Sequence, residues 1–265
     1  MPPGGRRERP PGHPGLAGRG DHLRRPAEHR DHHGAFAEAG RLAEQAAGLA
    51  RAGGDLADAS LELTLAVAGH LLVNDAPTAV PLAREALALA RQIGAPALIA
   101  TGLLAVGLAV AETDPGQARA CLAESRELST VLGYHSAIDL VWATAIAFLV
   151  RDWAATLELG RQAIRAVQWG GDRLRMGQVL YLIAGTLAAI RPEAAAIIQG
   201  AAGTYAVAAP YPAQLITSTV TPALGAERAR ELRARGADMD WDQALAYTLT
   251  QATQALTELQ SATQP

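Results

Sequence analysis

From Ala35 onward the chain alternates two kinds of apolar run. In the first kind, apolar residues recur at helical spacing and charges fill the gaps: Arg84, Glu85 and Arg91; Glu124, Arg126 and Glu127; Glu158, Arg161 and Arg165. Each predicts a helix with one wet face. In the second kind charge almost disappears, as in Ala95–Ala111, Ala137–Val150 (Asp139 apart) and Val179–Ile190. A helix apolar all round predicts burial between neighbours. Predicted helices follow in pairs: Ala35 to the Gly53-Gly54 break, Leu56–Leu72, Ala76–Ile93, Ala95–Glu112, Gln117–Leu132, Ser136–Val150, Trp153–Trp169 and Arg173–Ile190, with Pro192 opening another.

The punctuation is periodic. Gly94 and Gly133 end the runs LALARQIG and ELSTVLG and lie 39 residues apart, while Asp75, Asp114 and Asp152 close apolar runs at intervals of 39 and 38. Gly53-Gly54 and Gly170-Gly171 continue the series in both directions. Two helices per period of ~34–47 residues is the mark of a helical solenoid of tetratricopeptide, HEAT or armadillo type. The expected architecture is all-α: a helical-hairpin solenoid of tetratricopeptide-like repeats, period about 38–39, with a C-terminal capping helix. It divides as 1–33, a disordered Pro/Gly/Arg/His-rich tail; 34–209, the solenoid; and 210–265, an irregular segment with capping helices.

Local signals set the helix starts. Asp114-Pro115-Gly116-Gln117 combines a capping aspartate, a first-turn proline and a possible capping-box partner. Asp238, Asp240 and Asp242 superficially open a calcium loop, but its sixth and twelfth positions, where Gly and Glu are needed, hold Gln243 and Leu249. Asp240 is expected instead to cap the last helix with Gln243 as its reciprocal partner. Leu245, Leu249, Ala252, Leu256 and Leu259 then fall on one face. Residues 194–226 carry no charge and begin as a helix that Pro210, Pro212 and Pro222 are expected to break. Such a run either packs back over the last hairpin, the favoured reading, or forms an exposed patch that awaits a partner.

Composition narrows the chemistry. With 49% apolar but only 4% aromatic residues, the interior must be built from Ala, Leu, Val and Ile. All 23 basic residues are arginine, which excludes any mechanism that needs a lysine. Residues 1–33 carry seven arginines against four acids, which leaves the rest near −6 and gives little footprint for direct nucleic-acid binding. The single cysteine, Cys121, allows no intramolecular disulfide and fits a cytoplasmic location. Ala95–Ala111 holds 17 uncharged residues, but Gly and Thr within it and the lack of aromatic anchors argue against a membrane span.

Three phrases carry a resemblance: PLAREALALARQIGAPALIATGLLAVGLA, AAAIIQGAA and LGAERARELRARGADMDWDQALAYTL. Over about Ala35–Leu256 the chain resembles the C-terminal helical-repeat region of actinobacterial signalling ATPases, the LuxR-type and adenylate-cyclase-linked regulators. It lacks their P-loop, cyclase and helix-turn-helix. The resemblance implies a region that receives a signal, protein or small molecule, and restrains an ATPase; it carries over no site residue.

No catalytic, cofactor or metal motif has convincing spacing, so no enzyme activity is expected. His135 and Asp139 lie four apart but read as helix-start residues; Cys121 reads as a small buried hydrophobe. Trp142, Trp153, Trp169 and Tyr181 could line a pocket, but large residues at helical spacing read first as core. His29, His32 and His33 read as part of a solvated tail. The expected partner or ligand surface is Tyr134, His135, Trp169, Arg173 and Arg175, since Arg and Trp are favoured at interaction hot spots. The function expected is a regulatory scaffold that binds a protein partner or itself; the alternative is a sensor with a small-molecule effector in the concave face or beneath residues 194–226.

Overall fold

Aspartates start half of the helices among the described residues. In the computed structural model, which describes residues 32–133, 136–170, 172–205 and 210–263, the capping Oδ1 of Asp55, Asp75, Asp114, Asp152 and Asp172 accepts the backbone N–H three residues on, at 2.9–3.2 Å. Ser136 does the same for Asp139 at 3.1 Å. Asp240 and Gln243 form the expected reciprocal box: Gln243 N–H donates to Asp240 Oδ1 at 2.8 Å and Asp240 N–H to Gln243 Oε1 at 3.2 Å. Each such cap satisfies an otherwise orphan backbone donor.

Twelve helices result among the described residues, which contain no strand: α1 (His32–Ala52), α2 (Leu56–Leu72), α3 (Ala76–Ile93), α4 (Pro96–Val110), α5 (Pro115–Leu132), α6 (Ala137–Leu149), α7 (Trp153–Gly170), α8 (Arg173–Leu187), α9 (Pro192–Tyr205), α10 (Pro210–Leu224), α11 (Ala226–Ala237) and α12 (Trp241–Thr263). Up to residue 31 the expected tail lies outside the described residues, and His32 and His33 already belong to α1. No helix among the described residues is long and apolar enough to cross a membrane.

The turns recur in kind. Gly54, Asn74 and Arg151 adopt left-handed backbone conformation at φ 81°, 59° and 61°. In each case the next residue, an aspartate, donates its N–H to the carbonyl five residues back at 2.9 Å (Ala50, His70, Ala147) and then caps the following helix. This is the 6→1 closure that satisfies the last carbonyls of a helix. Gly94 and Gly133 close α3 and α5 in the same left-handed conformation.

Helices next to one another in sequence pack together from α2 to α9. The even-numbered members α2, α4, α6, α8 and α10 also touch in succession, so they share a layer. Here the charge-free runs are buried: Leu103, Leu104, Ile146, Phe148, Leu180, Ile183 and Leu187 are 2% exposed or less. The odd helices are tied across their outer faces by side chains, Arg51 to Glu85 and Arg91 to Glu124 at 2.5 and 3.2 Å. Buried serines cross-link helices too, Ser60 Oγ donating to the Ala86 carbonyl and Ser125 Oγ to that of Ala100, both at 3.0 Å.

One expectation needs correction after residue 209. Residues 210–224 form α10 instead of an irregular segment. Pro210 and Pro212 sit in its first turn, where a missing N–H costs nothing, and fully buried Ile216 and Val220 hold it despite Pro222 near its end. It packs on α8, α9 and α11, as the packed-back alternative requires. α11 covers α9, and α12 turns back along α7, α8 and α9. Its small buried residues Ala244, Thr248, Ala252 and Ala255 permit that close approach.

Candidate functional site

The surface expected from the sequence is only partly in view. Tyr134 and His135 lie outside the described residues, as does the side chain of Trp169. Asp139, read beside His135, has its backbone N–H on Ser136 and its Oδ1 accepting the Thr101 hydroxyl at 3.0 Å. Arg173 is exposed and Arg175 half-buried, and each contacts a residue of this chain. Arg175 pairs with Asp172, whose carboxyl is held below its ordinary value: burial pushes it up, but hydrogen bonds and charge from Arg175 outweigh that. Arg173 stacks over the Trp241 ring at 5.6 Å, and Trp241 meets Tyr205 edge-to-face at 5.0 Å. Burial pushes the Tyr205 phenol up, Arg173 opposes that and Asp240 adds to it. This cluster pins the start of α12 to the start of α8 and the end of α9.

A different arginine pair borders open space. A groove of about 420 Å³ lies at the α6–α7 turn, lined by Arg119, Val150, Arg151, Asp152, Trp153, Ala154, Leu259 and Gln260. Arg119 reaches across from α5, its Nη2 donating to the Val150 carbonyl at 2.8 Å. Arg151 is exposed and its guanidinium makes no ion pair or hydrogen bond among the described residues. Asp152 is the one acid in the lining and spends Oδ1 on the Ala155 N–H. The groove is therefore net positive, and the N-terminus of α7 opens into it with the same sign. Trp153, set edge-to-face against Phe148 at 5.8 Å, and Leu259 form its apolar wall. A second, more apolar cavity of about 220 Å³ adjoins it through Arg151, Trp153 and Leu259, and reaches Ile190 and Leu215.

Sequence reasoning named Trp153 and Asp152 but did not single out Arg119 or Arg151, although one signal was readable. At the turn position held by Gly54 and Asn74, the α6–α7 turn has Arg151, and a left-handed arginine costs roughly 1–2 kcal/mol. Strain of that kind clusters where side chains are used. That α12 would bring Leu259 and Gln260 to the same place was not readable, since they stand more than a hundred residues away.

Arg191, between α8 and α9, holds the far part of α12. It donates to Gln251 at 2.9 Å and Gln254 at 2.6 Å, and makes a two-point pair with Glu258. Arg191 pulls the Glu258 carboxyl below its ordinary value through that hydrogen bond, with desolvation opposing and charge assisting. Cys121 is buried, and burial pushes its thiol up, away from the reactive thiolate. Among the described residues no three His, Cys, Asp or Glu side chains are grouped to hold a metal. Comparison with protein-family models, curated proteins and solved structures returns no match.

Proposed function

We propose that this chain is a non-catalytic interaction module: a tetratricopeptide-like α-solenoid that receives a signal for a bacterial regulator of the kind it resembles, in the cytoplasm. The observation that carries this reading is the recurrence of one turn, left-handed residue then capping aspartate, at Gly54-Asp55, Asn74-Asp75 and Arg151-Asp152, with the even helices layered between. An array of that kind grows by nearest-neighbour contacts and offers extended surface to partners. The groove with Arg119, Arg151 and Trp153 is the part of that surface best suited to a protein segment that carries acidic residues beside apolar ones.

Native mass spectrometry of the chain, purified gently from its own host, tests this reading. A co-purifying protein or a homodimer is the expected result, with affinity falling about tenfold or more on Arg151→Glu. Unchanged affinity removes the groove from the reading, and a bare monomer removes the reading itself. A second reading, a small-molecule effector site, is favoured by a cleft between α4, α5, α6 and α7 in which polar side chains stand over an apolar floor.

A further inference from the structure

The cleft between α4, α5, α6 and α7 interrupts an otherwise apolar interface. Its volume is about 190 Å³, and its floor is Leu104, Leu140 and Leu159, each 6% exposed or less. Ser129 is 5% exposed and lines the cleft, and its hydroxyl makes no hydrogen bond among the described residues. Asp139 stands beside it on the first turn of α6. Thr101 takes Oδ1 of that carboxylate, which orients it and leaves Oδ2 without a protein partner. No cation among the described residues pairs with Asp139, although Arg126 borders the same cleft from α5. Arg126 is exposed, and its guanidinium likewise makes no ion pair among the described residues.

The cleft thus presents an unpaired negative group and a free hydroxyl, an unpaired positive group at its exposed rim, and three leucines beneath. A ligand matched to all of these has an ammonium, a carboxylate and a short apolar side chain. The volume equals that of about six water molecules, which suits a branched aliphatic molecule better than an aromatic one. We infer that this cleft binds a small aliphatic α-amino acid, its ammonium on Asp139 and Ser129, its carboxylate on Arg126 and its side chain on Leu104, Leu140 and Leu159. This rests on the effector reading and adds the ligand class. Because α4, α5, α6 and α7 all border the cleft, a bound amino acid would lock neighbouring hairpins together, which gives the array a means of sensing it.

Isothermal titration of the full chain with L-valine, isobutylamine and isovalerate tests the assignment. L-Valine is expected to bind, and each analogue, lacking one charge, to bind at least about tenfold more weakly. Asp139→Asn keeps an acceptor for Thr101 and removes the charge; Arg126→Gln lies on the exposed rim and leaves the core intact. Each should weaken L-valine about tenfold or more with the unfolding temperature unchanged. Should Asp139→Asn fail to fold, Arg126→Gln alone decides. An analogue that binds as tightly as L-valine overturns the amino-acid assignment while leaving an effector site. Unchanged L-valine binding in Arg126→Gln overturns the pose, and silence from all three compounds overturns the assignment together with the effector reading of this cleft.

Discussion

Gly200 of α9 and Gly236 of α11 lie against each other's helix backbone. A Cβ on Gly200 would collide with the carbonyl of Arg233, and one on Gly236 with the carbonyl of Ile197. The two helices meet without side chains between them at this point. Backbone cannot swing aside as a side-chain tip can, so α11 would have to lift off α9. Gly200→Ala and Gly236→Ala should each destabilise the chain by at least about 2 kcal/mol in urea unfolding. Gly48→Ala, with open space around it inside α1, should be neutral or stabilising by up to about 1 kcal/mol. Equal effects at all three positions would mean that the α9–α11 approach is not as close as described.

Arg151 separates strain from charge. Arg151→Gly relieves the left-handed backbone and should stabilise by about 1 kcal/mol. Arg151→Ala removes the guanidinium but keeps the strain, so its unfolding midpoint should stay near that of the parent. Both should weaken a partner that uses the groove. If glycine lowers the midpoint, the side chain makes contacts that outweigh the strain.

Arg191 and Glu258 should make the seating of α12 acid-sensitive. The folded carboxyl lies below its ordinary value, so its contribution is complete above the unfolded pKa and disappears as pH falls through the folded one. Protection of α12 amides against hydrogen exchange, taken relative to the intrinsic rate at each pH, is expected to fall below the ordinary carboxylate range in the parent, while Glu258→Gln is less protected already at neutral pH and loses nothing further in acid through this pair. Parallel pH profiles for the two proteins would exclude the pair as the cause.

Asp114 caps α5 through the Gln117 N–H at 2.9 Å, and Asp114→Ala should cost about 1 kcal/mol. Asp114→Asn, which retains an acceptor oxygen, should recover most of that in the same denaturation experiment. If asparagine is no better than alanine, the hydrogen bond is not the source of the effect.

The helices were legible because their signals are local. Asp55, Asp75, Asp114 and Asp172 act on the residue three positions on, and Gly94 and Gly133 act on carbonyls within the preceding turn, so short segments of sequence contain both partners. The capping box of Asp240 with Gln243 was readable for the same reason. Pro210, Pro212 and Pro222 were misleading because a proline's effect depends on its place in the helix: two of them start α10, and the burial of Ile216 and Val220 offsets the third. Of the surface expected around Trp169, Arg173 and Arg175, Arg175 pairs with the aspartate of its own helix cap, and Arg173 lies over a ring that the sequence places 68 positions away.

What the sequence determined alone is thus the all-helical content, the pairing of charged with charge-free helices and the positions of the turns, each set by hydrogen bonds and periodicities that span a few residues. Only the tertiary structure decided that α11 would close on α9 through two glycines, that α12 would run back along α7, α8 and α9, and that Arg119, Arg151 and Leu259 would border one groove. Those outcomes depend on which faces fit closely enough to exclude water. That fit belongs to pairs of distant surfaces and is written in no single stretch of chain.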